Sequence, residues 1–421
     1  MKKKNKSIYT FQDAVKRSGP IAFTTMIKPA GSTCNLDCHY CYYLDKALQY
    51  GGKQAVMSDE LLESYICQYI EANEVPEVLF CWHGGEPLLL KPDFYRRAIE
   101  YQKKYAGDKK ITNTLQTNGL LLNEEWCELF AENNFLIGVS MDGPKDIHDS
   151  FRLTKNQEPT FDRVMEGIKM MKRMGVEFNT LSVVNKLCEG RGAEIYQFFK
   201  SLGSKYMQFL PAVEHVIDKE GYHRPLIVSP ETEGAHIAPW SVSAKGYGQF
   251  LIDIFDQWVI NDVGSYYVQM FDATLANTCG VMPGVCSMCE TCGDALIVEH
   301  NGDVYSCDHF VYPEYMLGNI AEKHLIDIYN DRKRIDFGLA KRNSLAEECL
   351  RCRYYTVCRG ECPKHRFDTG ADGYRKSTLC DGLKMYFRHV EPYMEFMRTQ
   401  LSKGEAPAWV IPFARQRMGL M

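Results

Sequence analysis

Three cysteines on one short loop, Cys34-Asn-Leu-Asp-Cys38-His-Tyr-Cys41, form a C-x3-C-x2-C pattern directly after a candidate strand. Thiolates so spaced can bind three irons of a cubane cluster and leave the fourth iron open to a small ligand. An ordinary zinc loop is the competing reading, but a structural zinc site takes a fourth side chain and closes its shell. The turn Trp82-His83-Gly84-Gly85-Glu86-Pro87 follows the next candidate strand. Its glycines let a ligand approach the backbone closely, and its exposed amides and carbonyls suit a small zwitterion. A tight strand-to-helix turn would use the same residues for conformation alone. A second cysteine series runs Cys286-x5-Cys292-x14-Cys307, then Cys349-x2-Cys352-x5-Cys358-x3-Cys362-x17-Cys380. Eight thiolates can close two four-thiolate clusters, or a pair of zinc sites. The remaining cysteines, Cys67, Cys81, Cys127, Cys188, Cys279 and Cys289, read as buried or incidental thiols, although Cys289 lies between two candidate ligands.

Loops of this kind need rigid supports, and the sequence supplies them in alternation. Candidate strands are Thr25–Pro29, Val78–Trp82, Thr112–Gln116, Leu136–Ser140, Phe178–Val184 and Tyr206–Leu210. Between them lie expected helices over Ser58–Ala72, Pro92–Tyr105, Glu124–Asn133, Phe161–Met174 and Ala193–Leu202. Ser58 before Asp59 and Glu60 provides a helix cap with acid in the first turn, and Gly175 stands where a C-terminal cap belongs. Repeated strand–helix–strand units imply an α/β fold with a parallel sheet, here an open, partial (β/α)6 barrel. Such sheets place their chemistry at the C-terminal ends of the strands.

After Leu210 the alternation stops. Residues 211–243 read as a long excursion, followed by a helix over Tyr247–Val259. Ala295–Glu299 and Asp303–Ser306 flank His300-Asn301-Gly302, a strong hairpin signal. The expected organisation is an N-terminal extension (1–20), the partial barrel (21–265), a small cysteine-rich α+β domain (266–385) and a C-terminal helix and tail (386–421). That cysteine-rich region has little periodic hydrophobicity, a deficit that bound metal can offset.

Bulk properties exclude several function classes. The chain has 421 residues, more than one ordinary core, and a formal net charge of −5 without a basic stripe. Nucleic acid is therefore not an expected partner. No apolar run is long enough for a membrane span, and the basic opening Met1-Lys-Lys-Lys-Asn-Lys lacks the apolar region of a signal peptide. A cytoplasmic protein is expected. In that reducing compartment, 17 cysteines point to metal rather than disulfides.

The three-cysteine loop with its aromatic Tyr40, followed by Gly-Gly-Glu-Pro, resembles the radical S-adenosylmethionine (SAM) superfamily. The resemblance implies a 4Fe-4S cluster on Cys34, Cys38 and Cys41, with the amino and carboxylate groups of SAM on the open iron. It also implies SAM contacts from Tyr40 and from Gly84, Gly85, Glu86 and Pro87. The later series is similar to the SPASM extension of peptide- and protein-modifying members. That likeness assigns Cys286, Cys292, Cys307 and Cys362 to one auxiliary 4Fe-4S cluster, and Cys349, Cys352, Cys358 and Cys380 to another.

Further segments narrow the match. Thr114-Leu-Gln-Thr-Asn-Gly119, Val139-Ser-Met-Asp-Gly-Pro144, Gly302-Asp-Val-Tyr-Ser-Cys-Asp308 and Leu317-Gly-Asn-Ile320 resemble the anaerobic sulfatase-maturating enzymes, from about Ile27 to Met385. Those enzymes convert a Cys or Ser in a sulfatase C/S-x-P/A-x-R motif to Cα-formylglycine. The resemblance implies Asp308 as the catalytic acid–base residue and Ser140 and Arg152 as SAM contacts. It places Tyr43 and His83 on the substrate side; some relatives carry Gln at the His83 position. The implied partners are an unfolded or nascent sulfatase polypeptide and a flavodoxin- or ferredoxin-type electron donor. One alternative is another SPASM enzyme, which crosslinks or epimerises a ribosomal peptide. Those often carry a separate N-terminal recognition domain, for which the residues before Ile21 are too few. A non-catalytic zinc or iron–sulfur scaffold would have no need of the open three-cysteine site.

Overall fold

A computed structural model describes residues 21–50, 56–222 and 224–420; the expected N-terminal extension, 1–20, lies outside them. In chain order the first half contains β1 (Thr24–Lys28), α1 (Asp59–Ala72), β2 (Glu77–Trp82), α2 (Lys91–Tyr105), β3 (Lys110–Thr117), α3 (Glu124–Glu132) and β4 (Leu136–Ser140). There follow α4 (Lys145–Phe151), α5 (Phe161–Arg173), β5 (Phe178–Val184), α6 (Gly192–Leu202) and β6 (Tyr206–Pro211). The expected α/β alternation is present, and its caps act as the sequence implies. The Ser58 hydroxyl accepts the Leu61 amide at 3.2 Å, and Gly175 follows α5 at φ 71°.

The excursion carries three short strands, β7 (His215–Ile217), β8 (Leu226–Ile227) and β9 (His236–Ile237), with β7 antiparallel to both others. Next come α7 (Ala244–Asn261), β10 (Tyr267–Val268), α8 (Gln269–Thr278), β11 (Ala295–Glu299), β12 (Asp303–Tyr305) and β13 (Met316–Asn319). The chain ends with α9 (Leu325–Tyr329), α10 (Arg332–Asn343), α11 (Glu347–Leu350), α12 (Tyr355–Cys358), α13 (Cys380–Ser402) and α14 (Val410–Arg417). Among the described residues, no helix is long and apolar enough to cross a membrane.

Two compact units emerge. One comprises the segment ending at Thr33 with Lys46–Thr114 and Glu290–Leu345. Its sheet is built on β1, which pairs in parallel with β2 on one side and β11 on the other. The hairpin expected around His300-Asn301-Gly302 then continues the sheet antiparallel through β12 to β13, with Gly302 at φ 89°. Leu296, Ile297, Val298 and Glu299 of β11 are all buried. A run apolar on both faces belongs inside a sheet with cover on both sides. Residues 290–345 of the expected cysteine-rich domain accordingly pack with the opening strands.

The other unit comprises Cys34–Asp45, Leu115–Cys289 and Ala346–Met421. Strands β4, β5, β6 and β10 pair in parallel. Helix α13 crosses α7 at two glycines. A Cβ on Gly248 would strike the Gly382 carbonyl, and one on Gly382 would strike the Ala244 carbonyl. The two backbones touch there because neither residue has a side chain. The excursion is anchored through a two-pronged pair, Arg224 to Asp45, at 2.9 and 3.0 Å.

Candidate active site

In the first unit, the turn after β2 is fixed by the chain that leads into the three-cysteine loop. The Gly85 amide donates to the Gly31 carbonyl, and the Glu86 amide to the Thr33 carbonyl, each at 2.8 Å. A Cβ on Gly85 would run into the backbone of Ser32 and Thr33. Glycine at 85 therefore answers first to protein backbone, whatever ligand the turn meets. Gly85→Ala should destabilise the protein by about 3 kcal/mol, measurable by anaerobic denaturant unfolding. Glu86 is fully buried and caps the short helix beginning at Pro87, its carboxylate accepting the Leu88 amide at 3.0 Å. Trp82 belongs to the core, with its indole donating to Asn113 at 2.8 Å.

Asp308 stands one residue after Cys307, at the start of a single helical turn, Asp308–Phe310. Its carboxylate forms an ion pair with Lys28, the last residue of β1. Burial would raise the Asp308 carboxyl, but the charges of Lys28, His83 and His309 outweigh it and hold the group well below the usual carboxylate range. His83 faces the same pair. Burial foremost, reinforced by Lys28, overcomes the pull of Asp308 and lowers its pKa from 6.5 to about 4. The ring is neutral near pH 7. Its Nδ1 accepts the Gly84 amide at 2.9 Å, which leaves the proton on Nε2.

The depressed His83 pKa fixes the sign of a pH effect. The unfolded chain takes up this proton more readily, so the contribution to stability is complete above about pH 7 and falls as acid is added towards pH 4. Near pH 5 the loss amounts to about 2 kcal/mol. The variant His83→Gln, having no such proton, should lose correspondingly less stability than the parent between about pH 7 and pH 5 in thermal unfolding.

The second unit holds the three-cysteine loop. The Cys41 amide donates to the Cys38 carbonyl at 2.9 Å. The Cys34 sulfur accepts from the Leu36 amide at 3.4 Å and from the Asn118 side chain at 3.8 Å; Asn118 also donates to Asn35 at 2.7 Å. Burial raises the Cys38 thiol strongly, with Arg152 opposing it. Burial likewise raises Cys41, while the Tyr43 and Leu44 amides lower it. Sulfurs fed by amide hydrogens and a neighbouring cation suit metal-bound thiolates, whose negative charge these donors would stabilise. The residues fit a cluster.

Around that loop a buried polar group holds several of the expected cofactor contacts. Asp142, fully buried, pairs with Arg152 at 3.0 Å, accepts the Tyr40 hydroxyl, and accepts the Val183 amide at 3.1 Å. The Arg152 guanidinium also lies over the Tyr40 ring, 5.6 Å from its centroid. Asp142 stands within the segment Val139-Ser-Met-Asp-Gly-Pro144, and its function of fixing Arg152 and Tyr40 becomes visible only in three dimensions. Ser140, at the end of β4, accepts the Gln116 amide at 2.9 Å. Tyr43 is buried, in an edge contact with Tyr42.

Cys349, Cys352, Cys358 and Cys380 line one cavity together with Tyr354, Tyr355 and Lys384. Burial pushes the Cys358 thiol up to about 12. Among the described residues no three His, Cys, Asp or Glu side chains converge to hold a single ion. Instead, the four thiols ring a void, and an all-sulfur donor set around a void fits an iron–sulfur core. Of the other expected set, Cys292 and Cys307 fall in the first unit, Cys286 and Cys362 in the second. Among the described residues no disulfide joins any of the 17 cysteines, and Cys289 donates to the Val285 carbonyl at 3.4 Å.

An alternating α/β fold with a three-thiol loop and a separate ring of thiols defines a radical SAM protein with an iron–sulfur extension. Residues 29–198 match the Radical SAM superfamily, and residues 286–353 match SPASM, an iron–sulfur cluster-binding domain. A serine-type anaerobic sulfatase-maturating enzyme of Bacteroides thetaiotaomicron is 48% identical over 385 residues, covering 91% of this chain and 93% of its own. A cysteine-type anaerobic sulfatase-maturating enzyme of Clostridium novyi is 34% identical over 370 residues, covering 87% and 94%. The solved structure of native anSMEcpe with bound AdoMet and Cp18Cys peptide matches with a TM-score of 0.77 at 30% identity, over 89% of this chain and 99% of that one. This chain belongs to the anaerobic sulfatase-maturating enzyme family. Streptococcus suis SuiB, at 16% identity and a TM-score of 0.57, shares the fold alone, and the alternative of a different SPASM-type maturase is not favoured.

Proposed function

We propose that this protein oxidises the target Cys or Ser of a sulfatase polypeptide to Cα-formylglycine. The observation that carries the reading is the Asp308 carboxylate, paired with the buried Lys28 next to Cys307 in a member of this family. Losing a hydrogen atom from Cβ, then one electron and the S–H or O–H proton, gives a thioaldehyde or aldehyde; the thioaldehyde hydrolyses to the aldehyde. Asp308 is the group that accepts the proton. When bound, SAM and the clusters supply hydrogen abstraction and an electron acceptor.

Other residues bind and orient. Cys34, Cys38 and Cys41 are assigned to the open cluster; Cys286, Cys292, Cys307 and Cys362, and separately Cys349, Cys352, Cys358 and Cys380, to two closed ones. That makes three 4Fe-4S clusters, with residues 266–385 as the auxiliary domain. Arg152, fixed by Asp142, offers a cation to the SAM carboxylate. Tyr40, Ser140 and the segment from Gly84 to Pro87 complete the SAM contacts, and Tyr43 and His83 meet the substrate. A flavodoxin- or ferredoxin-type protein in the cytoplasm supplies the reducing electron.

The test is anaerobic incubation of reconstituted protein with SAM, reductant and sulfatase peptides of both C and S type. An aldehyde is expected, seen by mass and by capture with a hydrazine. A crosslinked or epimerised peptide, or SAM cleavage without aldehyde from either peptide, would refute the reading.

A further inference from the structure

Lys28 is the one charged residue of Thr24-Thr-Met-Ile-Lys28 and sits at its C-terminal end, where parallel sheets concentrate their chemistry. Its side chain is 0% exposed, whereas that of its partner Asp308 is 12% exposed. Those two values separate the roles. The carboxylate keeps a small surface open to a ligand, whereas the ammonium has none.

A buried ammonium is expensive to keep without a counter-charge, and 280 positions along the chain Asp308 provides it. The sheet accounts for the meeting. Lys28 pairs in register with Glu299 at the end of β11, and the β11–β12 hairpin returns the chain to Cys307 and Asp308. Gly84 packs against the lysine from the other side, since a Cβ there would lie 3.5 Å from Cα and Cβ of Lys28. The root of the lysine is thus set between β11 on one side and the Gly84 turn on the other. Asp308 opens a single helical turn, Asp308–Phe310, and meets the ammonium there.

We propose that Lys28 is a positioning residue of the oxidation: it acts through Asp308, holding the carboxylate in the orientation that receives the substrate's proton. This rests on the functional reading above.

The experiment compares the parent, Lys28→Met, Asp308→Asn and the double variant as reconstituted full-length proteins. Iron content, deoxyadenosine released from SAM and formylglycine formed from sulfatase peptide are measured for each. Lys28→Met should keep its iron and cleave SAM within about two-fold of the parent, while formylglycine per deoxyadenosine falls on the order of 10²-fold. The loss should appear in kcat, with the peptide KM little changed. Adding Lys28→Met to Asp308→Asn should lower activity no further, because both act at one group. Should Lys28→Met fail to fold or hold iron, Lys28→Arg replaces it: the cation stays but its geometry changes, and the same uncoupling without additivity is expected. Unchanged coupling, or losses that multiply in the double variant, would overturn the inference. A parent that makes no aldehyde from either peptide refutes the functional reading instead, so the two failures are distinct.

Discussion

Asp308→Asn should leave SAM cleavage near the parent level while formylglycine formation falls on the order of 10²- to 10⁴-fold. The amide is nearly the same size and fills the same place at the start of the turn Asp308–Phe310. It cannot take the proton of a substrate thiol or hydroxyl. It also leaves Lys28, which is wholly buried, facing a neutral group. Removing one member of a buried pair commonly costs about 3–5 kcal/mol, so thermal unfolding and iron content must be measured alongside turnover. A folded, iron-loaded variant that releases deoxyadenosine without aldehyde is the expected result. Full turnover in that variant would remove Asp308 from the chemistry.

Cys34→Ala should abolish deoxyadenosine production altogether. The Cys34 sulfur is the one to which Leu36 and Asn118 both donate, so its place in the loop is fixed by backbone and side chain together. Cys38 and Cys41 alone cannot retain a site-differentiated cubane, whose chemistry requires three thiolates and one vacant corner. SAM should then remain intact on chromatography under reducing, anaerobic conditions, while the four-thiol cavity of Cys349, Cys352, Cys358 and Cys380 still takes up iron. SAM cleavage retained by this variant would count against the open-cluster assignment.

Both predictions concern residues that the sequence makes visible, and the reason is chemical. The ligands proposed for the open site are three sulfurs on one short loop, so Cys34, Cys38 and Cys41 announce themselves by spacing. The early strands are legible from alternation with helices: β4 and β5 have the expected bounds, and β1, β2, β3 and β6 differ by one or two residues at one or both ends. Helix α10 is different. Its buried residues include Arg334 and Lys341 as well as Ile335 and Leu339, so hydrophobic periodicity does not mark it. Helix α8 starts after Val268 without a side-chain cap and gives no start signal. Helix α13 begins six residues before the expected Tyr386, because Gly382, read locally, argues against helix while the contact with α7 requires it. Lys28 and Asp142 carry no local signal, because Asp308 and Tyr40, which they meet, lie 280 and 102 positions away. A lysine ending a strand and an acid before Gly-Pro look like ordinary surface residues until the fold buries them.

The bare crossing at Gly248 and Gly382 has a consequence for how this protein can fail. Cys380, the last sulfur of its ring, lies two residues ahead of Gly382 on the same helix. Its reach is therefore governed by how closely two main chains approach, not by thiol chemistry. A Cβ at that intersection would force the two main chains apart and shift Cys380, lowering the iron that the proposed four-thiol set can hold. An iron-poor preparation of this protein is accordingly as much a symptom of poor helix seating as of oxidation.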